Sequence, residues 1–155
     1  MKNLLVVLLA LAAISLGTLR AEEAAHWSSG TLQGYTKKLA PNINPEHYAL
    51  ERLGDFGSHY ALVVYREGNG PAESHETETD FYVIQSGEAT LHTEGEIVGG
   101  KQTGPGEIRG SSIKGGKKAT LKAGDTVNIP PKTPHQIVLE PGKRITYMIL
   151  KIRAK

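Results

Sequence analysis

Glu73, His75, Asp80 and His135 are the side chains whose types and spacing could do chemistry in this chain. They fall in two segments, Glu73-Ser-His75-x4-Asp80-x6-Gly87 and Gly124-x5-Pro130-x4-His135. Imidazole nitrogens and carboxylate oxygens are the donors that hold borderline-to-hard divalent cations, so convergence would build one site for Fe, Mn, Ni or Zn. Taken singly, each segment has a plainer reading. Residues 73–80 hold four carboxylates and could form a solvated acidic turn, and His135 could be a surface residue beside prolines. The case for a site therefore depends on the elements that would bring the two together.

Those elements read as β-strands. Glu73 and His75 are two apart, so on a strand they point to one face. Asp80 opens a run in which Asp80, Tyr82 and Ile84 share one face and Phe81, Val83 and Gln85 the other. His135 follows Pro130-Pro131-Lys132-Thr133-Pro134, a rigid turn that fixes where its imidazole points. Further strands are predicted at Tyr48–Leu53, His59–Arg66, Ala89–Thr93, Lys118–Leu121, Thr126–Ile129, His135–Leu139 and Ile145–Ile152, all punctuated by Gly and Pro. No helical pattern separates them, which argues against a βαβ fold. Residues 22–46 form an N-terminal arm with one short helix near Thr31–Leu39, closed by Pro41 and Pro45, and Trp27 packs it against the strands. From Gly99 to Gly116 seven glycines and little apolar content suggest a lid, a binding loop or disorder. Within it only Glu107-Ile108-Arg109 has side chains suited to a pocket rim.

Secondary roles fall to Tyr82 as a pocket wall or proton donor and to Arg109 as an anion partner. His59, in phase with Ala61 and Val63, would enter the pocket or serve as a hydrogen-bonded barrel residue. The catalytic residues themselves stay unknown, with Tyr82, His59 and Arg109 the candidates.

Lys2 followed by the apolar run Leu4–Leu16, broken only by Ser15, has the layout of a secretory leader and is too short to span a bilayer comfortably, a membrane-anchoring helix being the alternative. Residues 1–21 are assigned to that leader, which predicts a secreted or periplasmic protein with no membrane span in the mature chain. The formal charge of +2 is carried by the leader's Lys2 and Arg20, so the mature chain is neutral. Nothing in that balance points to nucleic acid. With no Cys, neither a disulfide framework nor a lipid-anchoring thiol exists, and the domain must rest on an ordinary core.

With these motifs in hand, the chain resembles the cupins, small β-barrels defined by Gly-x5-His-x-His-x3–4-Glu-x6-Gly and Gly-x5-Pro-x-Gly-x2-His-x3-Asn. Asp80-x6-Gly87 falls on the family's Glu-x6-Gly, His75 on the second histidine and Glu73 on the first. Gly124, Pro130 and His135 match the second motif in spacing, so His135 corresponds to its ligand histidine. The letters depart at Glu73, Asp80, Lys132 (for glycine) and Leu139 (for asparagine), and Gly68 lies one residue too close to serve as the opening glycine. The resemblance covers roughly residues 60–140. It implies an all-β fold, a single-domain cupin-like jelly-roll β-barrel over residues 47–155 with a short N-terminal arm. It further implies a divalent metal held by Glu73, His75, Asp80 and His135, a small-molecule ligand or substrate, and pairing into homodimers. Oxygenase, isomerase and lyase chemistry are all open to such a barrel, as is non-catalytic binding of a small ligand in the cell envelope.

Overall fold

The computed structural model describes residues 24–154, so the leader lies outside the described residues. Helix α1 (Ser29–Leu39) starts where the Ser28 hydroxyl accepts the Thr31 N–H at 3.1 Å and carries Lys37 and Lys38 in its last turn, both favourable to its dipole. Twelve strands follow. They are β1 (Tyr48–Asp55), β2 (His59–Arg66), β3 (Ala72–His75), β4 (Glu78–Thr93), β5 (Glu96–Val98) and β6 (Lys101–Gly104), then β7 (Glu107–Gly110), β8 (Ser112–Lys114), β9 (Lys117–Lys122), β10 (Thr126–Ile129), β11 (His135–Val138) and β12 (Ile145–Arg153).

Ten of them form one antiparallel sheet in the order β1-β2-β12-β4-β11-β3-β7-β6, with β9 and β10 also paired to β4. The sheet curls around an apolar interior that includes Val64, Tyr82, Ile84, Leu91, Ile137 and Tyr147. Its outer face is covered by α1, whose Leu32, Tyr35 and Leu39 pack on Ala61, Val63 and Tyr65. The i, i+3, i+7 spacing of those helix residues is what a one-sided contact requires. Trp27 joins this outer cluster and meets the Phe56 ring edge-on, centroids 6.1 Å apart, so the arm docks as expected.

Strand β4 is the spine. Residues 81–85 and 89–93 read as two strands in the sequence, yet the chain runs through without a break. A bulge joins them: Ser86 faces Thr146 of β12, and Ile84, not Gln85, faces the next residue, Tyr147. The extra residue reverses the alternation, so Asp80, Tyr82 and Ile84 point inward before it and Ala89 and Leu91 after it. Gly87 holds φ +82°, and a Cβ there would sit 2.0 Å from the Arg144 carbonyl oxygen, so only glycine fits.

The glycine-rich segment is built of short strands and is not disordered. It contains β6, β7 and β8, with β5 and β8 forming a separate two-stranded ribbon. These strands are three or four residues long and mostly exposed on both faces, so no hydrophobic alternation marks them. Their glycines serve tight turns and a close crossing: a Cβ on Gly110 would lie 2.4 Å from Val98 O and from Ile97 Cγ2.

Candidate metal centre

Cross-strand register assembles the site. Pairing of β11 with β3 sets His135 opposite Glu73. Pairing of β3 with β7 sets Glu107 opposite His75 and Arg109 opposite Glu73. Pairing of β12 with β4 sets Lys151 opposite Asp80. Glu73, His75, Asp80 and His135 are thereby brought to one place on the inner face.

The polar atoms meet closely. His75 Nε2 lies 3.5 Å from Asp80 Oδ2, and His135 Nε2 lies 3.6 Å from both Asp80 Oδ2 and Glu73 Oε1. Donor atoms of Glu73, His75 and His135 all fall within 4.8 Å of one another. A tetrahedron with bonds of ~2.1 Å has edges of ~3.4 Å, so this spacing suits ligands around one ion better than direct hydrogen bonds.

Ring orientation agrees. The Nδ1 of His135 donates to Thr133 O at 3.0 Å, and since a carbonyl only accepts, the proton sits on Nδ1. The Nδ1 of His75 likewise donates to the Glu107 carboxylate, at 2.8 and 2.9 Å. Both Nε2 atoms therefore face the common centre, the arrangement usual for metal-bound imidazoles. His135 Nε2 is buried with no hydrogen-bond partner, which fits a missing ligand interaction. The proline turn is tied down by the Lys132 N–H, which donates to His75 O at 2.7 Å. Lys132 keeps φ +64° at the place where the cupin motif has glycine.

The electrostatics are those of a packed ion cluster. Burial would raise the Glu73 carboxyl, but the imidazole of His135, 3.6 Å away, brings it down to about 2 through its charge. Asp80, only 1% exposed, is also resisted by burial and is held well below the usual carboxylate range by His135 and His75. Burial opposes a charge on His135, yet Asp80 and Glu73 raise it to about 9. His75 shifts upward too, burial opposing and Asp80 favouring the proton.

No motif in the sequence marks Lys151. Its ammonium lies 2.7 Å from His75 Nε2, 2.7 Å from Asp80 Oδ1 and 3.7 Å from Glu78 Oε2. The contact with Asp80 is an ion pair off the line of a hydrogen bond, since Oδ1 has no hydrogen-bond partner. A signal for it existed: Ile145, Tyr147 and Ile149 face inward, and Lys151 continues that alternation.

The secondary candidates divide. Tyr82 is a wall of the site, its ring 6.4 Å from that of His135 and its hydroxyl 3.4 Å from Asp80 Oδ2. Burial and the Asp80 charge push that hydroxyl's pKa well up. Arg109 is an anion partner to the protein's own Glu73, at 3.4 Å. His59 does not enter the pocket: like Ala61 and Val63 it points to the outer face, where it stacks on Phe56 with centroids 5.0 Å apart.

A cavity of about 130 Å³ opens beside the cluster, lined by Glu73, Asp80, Lys151, Arg66 and Arg109 together with an apolar wall. A larger depression of about 740 Å³ lies against Ser74, Ile97, Ile108 and Pro134, and none of the four ligand candidates lines it.

No protein-family model matches the chain. No curated protein matches it either. Solved structures do. A cupin-2 domain from Rhodospirillum rubrum superposes with TM-score 0.52 at 13% identity, over 71% of this chain and 64% of that one. A cupin protein from Bacteroides fragilis gives TM-score 0.50 at 19% identity, over 72% and 80%. The DMSP lyase DddQ from Ruegeria pomeroyi gives TM-score 0.50 at 23% identity, over 68% of this chain and 47% of the lyase. This chain thus spans about half the length of that lyase. The fold is the all-β cupin jelly roll, and it carries a group of side chains suited to a metal ion.

Proposed function

We propose that this is an exported, divalent-metal-binding cupin, secreted or periplasmic, that acts as an enzyme on a small organic molecule. The observation that carries the reading is the convergence of two Nε2 atoms and two carboxylates, with His135 Nε2 buried and unpartnered. Glu73, His75, Asp80 and His135 would hold the ion, and Glu107 and Thr133 O would orient the two imidazoles. When bound, Fe, Mn, Ni or Zn would supply Lewis acidity toward a substrate oxygen. Tyr82 closes the inner side against water, and its hydroxyl keeps its proton. Oxygenase, isomerase and lyase chemistry all suit such a centre, and the Ruegeria neighbour is a DMSP lyase.

Lys151 favours a second reading, a non-catalytic cupin that binds a small ligand without metal. Its ammonium touches two of the four ligands and could serve as the resident cation of the cluster. Calorimetric titration of chelator-treated protein with Mn2+, Zn2+, Ni2+ and anaerobic Fe2+ decides between them. The enzyme reading expects one ion per chain in the wild type, and roughly tenfold tighter binding in Lys151→Met, where a like charge is gone. Absence of binding in both proteins would leave the metal-free binder.

A further inference from the structure

Three cations line the cavity beside the cluster. Lys151 pairs with Asp80 and Glu78, and Arg109 pairs with Glu73. Arg66 has no carboxylate partner among the described residues, although it is only 8% exposed. Its guanidinium lies 5.0 Å from the Tyr48 ring centroid, and Nη1 donates to Asn69 O at 3.2 Å. Nε is buried without a partner. A guanidinium offers five N–H donors and stays charged at any physiological pH; Tyr147 also lies beside it, yet a buried Nε–H without an acceptor is costly unless a further acceptor arrives.

The rest of the cavity states what that acceptor is attached to. Leu62, Val64 and Ile149 form an apolar wall, and the carboxylates Glu46, Glu73 and Asp80 stand on the lining as well, none of them paired with Arg66. At about 130 Å³ the space is well below that of ordinary ligand pockets and equals about four waters' share of liquid volume. It suits a short, flat, partly apolar molecule. Charge points the same way: with a divalent ion bound, the ion, Lys151, Arg66 and Arg109 outweigh the lining carboxylates Glu46, Glu73 and Asp80, so the cavity carries excess positive charge. The planar fork of arginine pairs best with a carboxylate.

We propose that the cavity binds a small organic monocarboxylate, its carboxylate on Arg66 and its short chain along Leu62, Val64 and Ile149. This inference rests on the site reading above for its function and on Arg66 for its binding.

The probe is n-butyrate, set against butyramide, its neutral counterpart of the same shape. Both are titrated by calorimetry into metal-depleted and metal-loaded protein, using wild type, Arg66→Gln, Arg66→Lys and Leu62→Phe. The expected result is butyrate binding at least tenfold tighter than butyramide in both metal states of the wild type. Arg66→Gln should erase that preference, and Arg66→Lys should keep part of it. Leu62→Phe keeps every charge and fills the cavity, so it should abolish butyrate binding even if Arg66→Gln fails to fold. Equal affinity for the two probes, or no binding of either, overturns the proposal. So does butyrate binding only in metal-loaded protein and unchanged in Arg66→Gln, which would make the ion the sole anchor. A chain that binds butyrate but no metal would retain this inference while the metal reading falls.

Discussion

The two faces of the sheet, built from the same strands, solve the burial of polar groups in opposite ways. On the outer face, under α1, Thr36 Oγ1 bonds Ser86 Oγ at 3.0 Å and Thr146 Oγ1 at 2.8 Å amid apolar packing. On the inner face, Asp80 Oδ1, Arg66 Nε and His135 Nε2 are buried without hydrogen-bond partners; away from it, the other such atom among the described residues is His92 Nδ1, on the side of β4 opposite Leu91 and remote from α1. Native structures rarely leave such groups unpaired without a functional reason. Under α1 the polar groups are paired within the protein, and the inner face keeps polar atoms that a bound ion or ligand would satisfy.

Substitutions should separate the two faces cleanly. His135→Ala is expected to weaken metal binding by at least ~100-fold, read by calorimetry, since it removes a ligand held by register and by Thr133 O. Leu39→Ala, on the outer face and 4% exposed, should cost ~2–4 kcal/mol in urea unfolding while leaving metal affinity unchanged. A variant that shifted both quantities together would show the faces to be coupled.

The inner cluster should also give the metal-free protein a distinctive pH profile. His135 is raised to about 9, so its contribution to stability is fully present below its unfolded value near 6.5 and lost as pH rises through 9. Glu73 is lowered to about 2, so its contribution is present above about 4.5 and lost as pH falls toward 2. Denaturant midpoints should therefore be highest between about pH 4.5 and 6.5. Metal affinity should move the other way across the alkaline limb, rising up to about pH 9 as His135 gives up its proton to become a ligand. His135→Ala should shrink the alkaline loss of stability, and an unchanged alkaline limb would exclude His135 as its source.

The smallest expected effect lies on the turn that serves the site. Lys132 holds φ +64° without the freedom of glycine, so Lys132→Gly should stabilise the protein by ~1 kcal/mol and raise Tm by a few degrees, read by calorimetry.

Much of this was legible in the sequence because it rests on period and punctuation. The strand His59–Arg66 has the predicted limits, and the inward set Asp80, Tyr82, Ile84 follows from simple alternation. The cluster of Glu73, His75, Asp80 and His135 was legible as spacing between turns, although the letters at two positions differ from the cupin motif. What escaped has physical causes. The β6 to β8 strands are too short and too exposed to carry alternation, and the bulge before Gly87 inverts inside and outside within one strand. His59 shares the parity of Ala61 and Val63, but alternation alone does not say which face is the interior. Lys151 and Arg66 end inward-facing apolar series, a position where a charged residue marks a cavity more often than a core.

The place of β12 in the sheet has a kinetic consequence. Residues 145–153 lie late in the chain, yet they sit between β2 and β4, in register with both. Until Ile145 and its successors are available, the sheet is open along its middle and Asp80 lacks its cross-strand neighbour Lys151. Such long-range closure makes for a high contact order and slow folding. Chains truncated before residue 145 should accordingly remain uncollapsed and prone to associate through the free edges of β2 and β4.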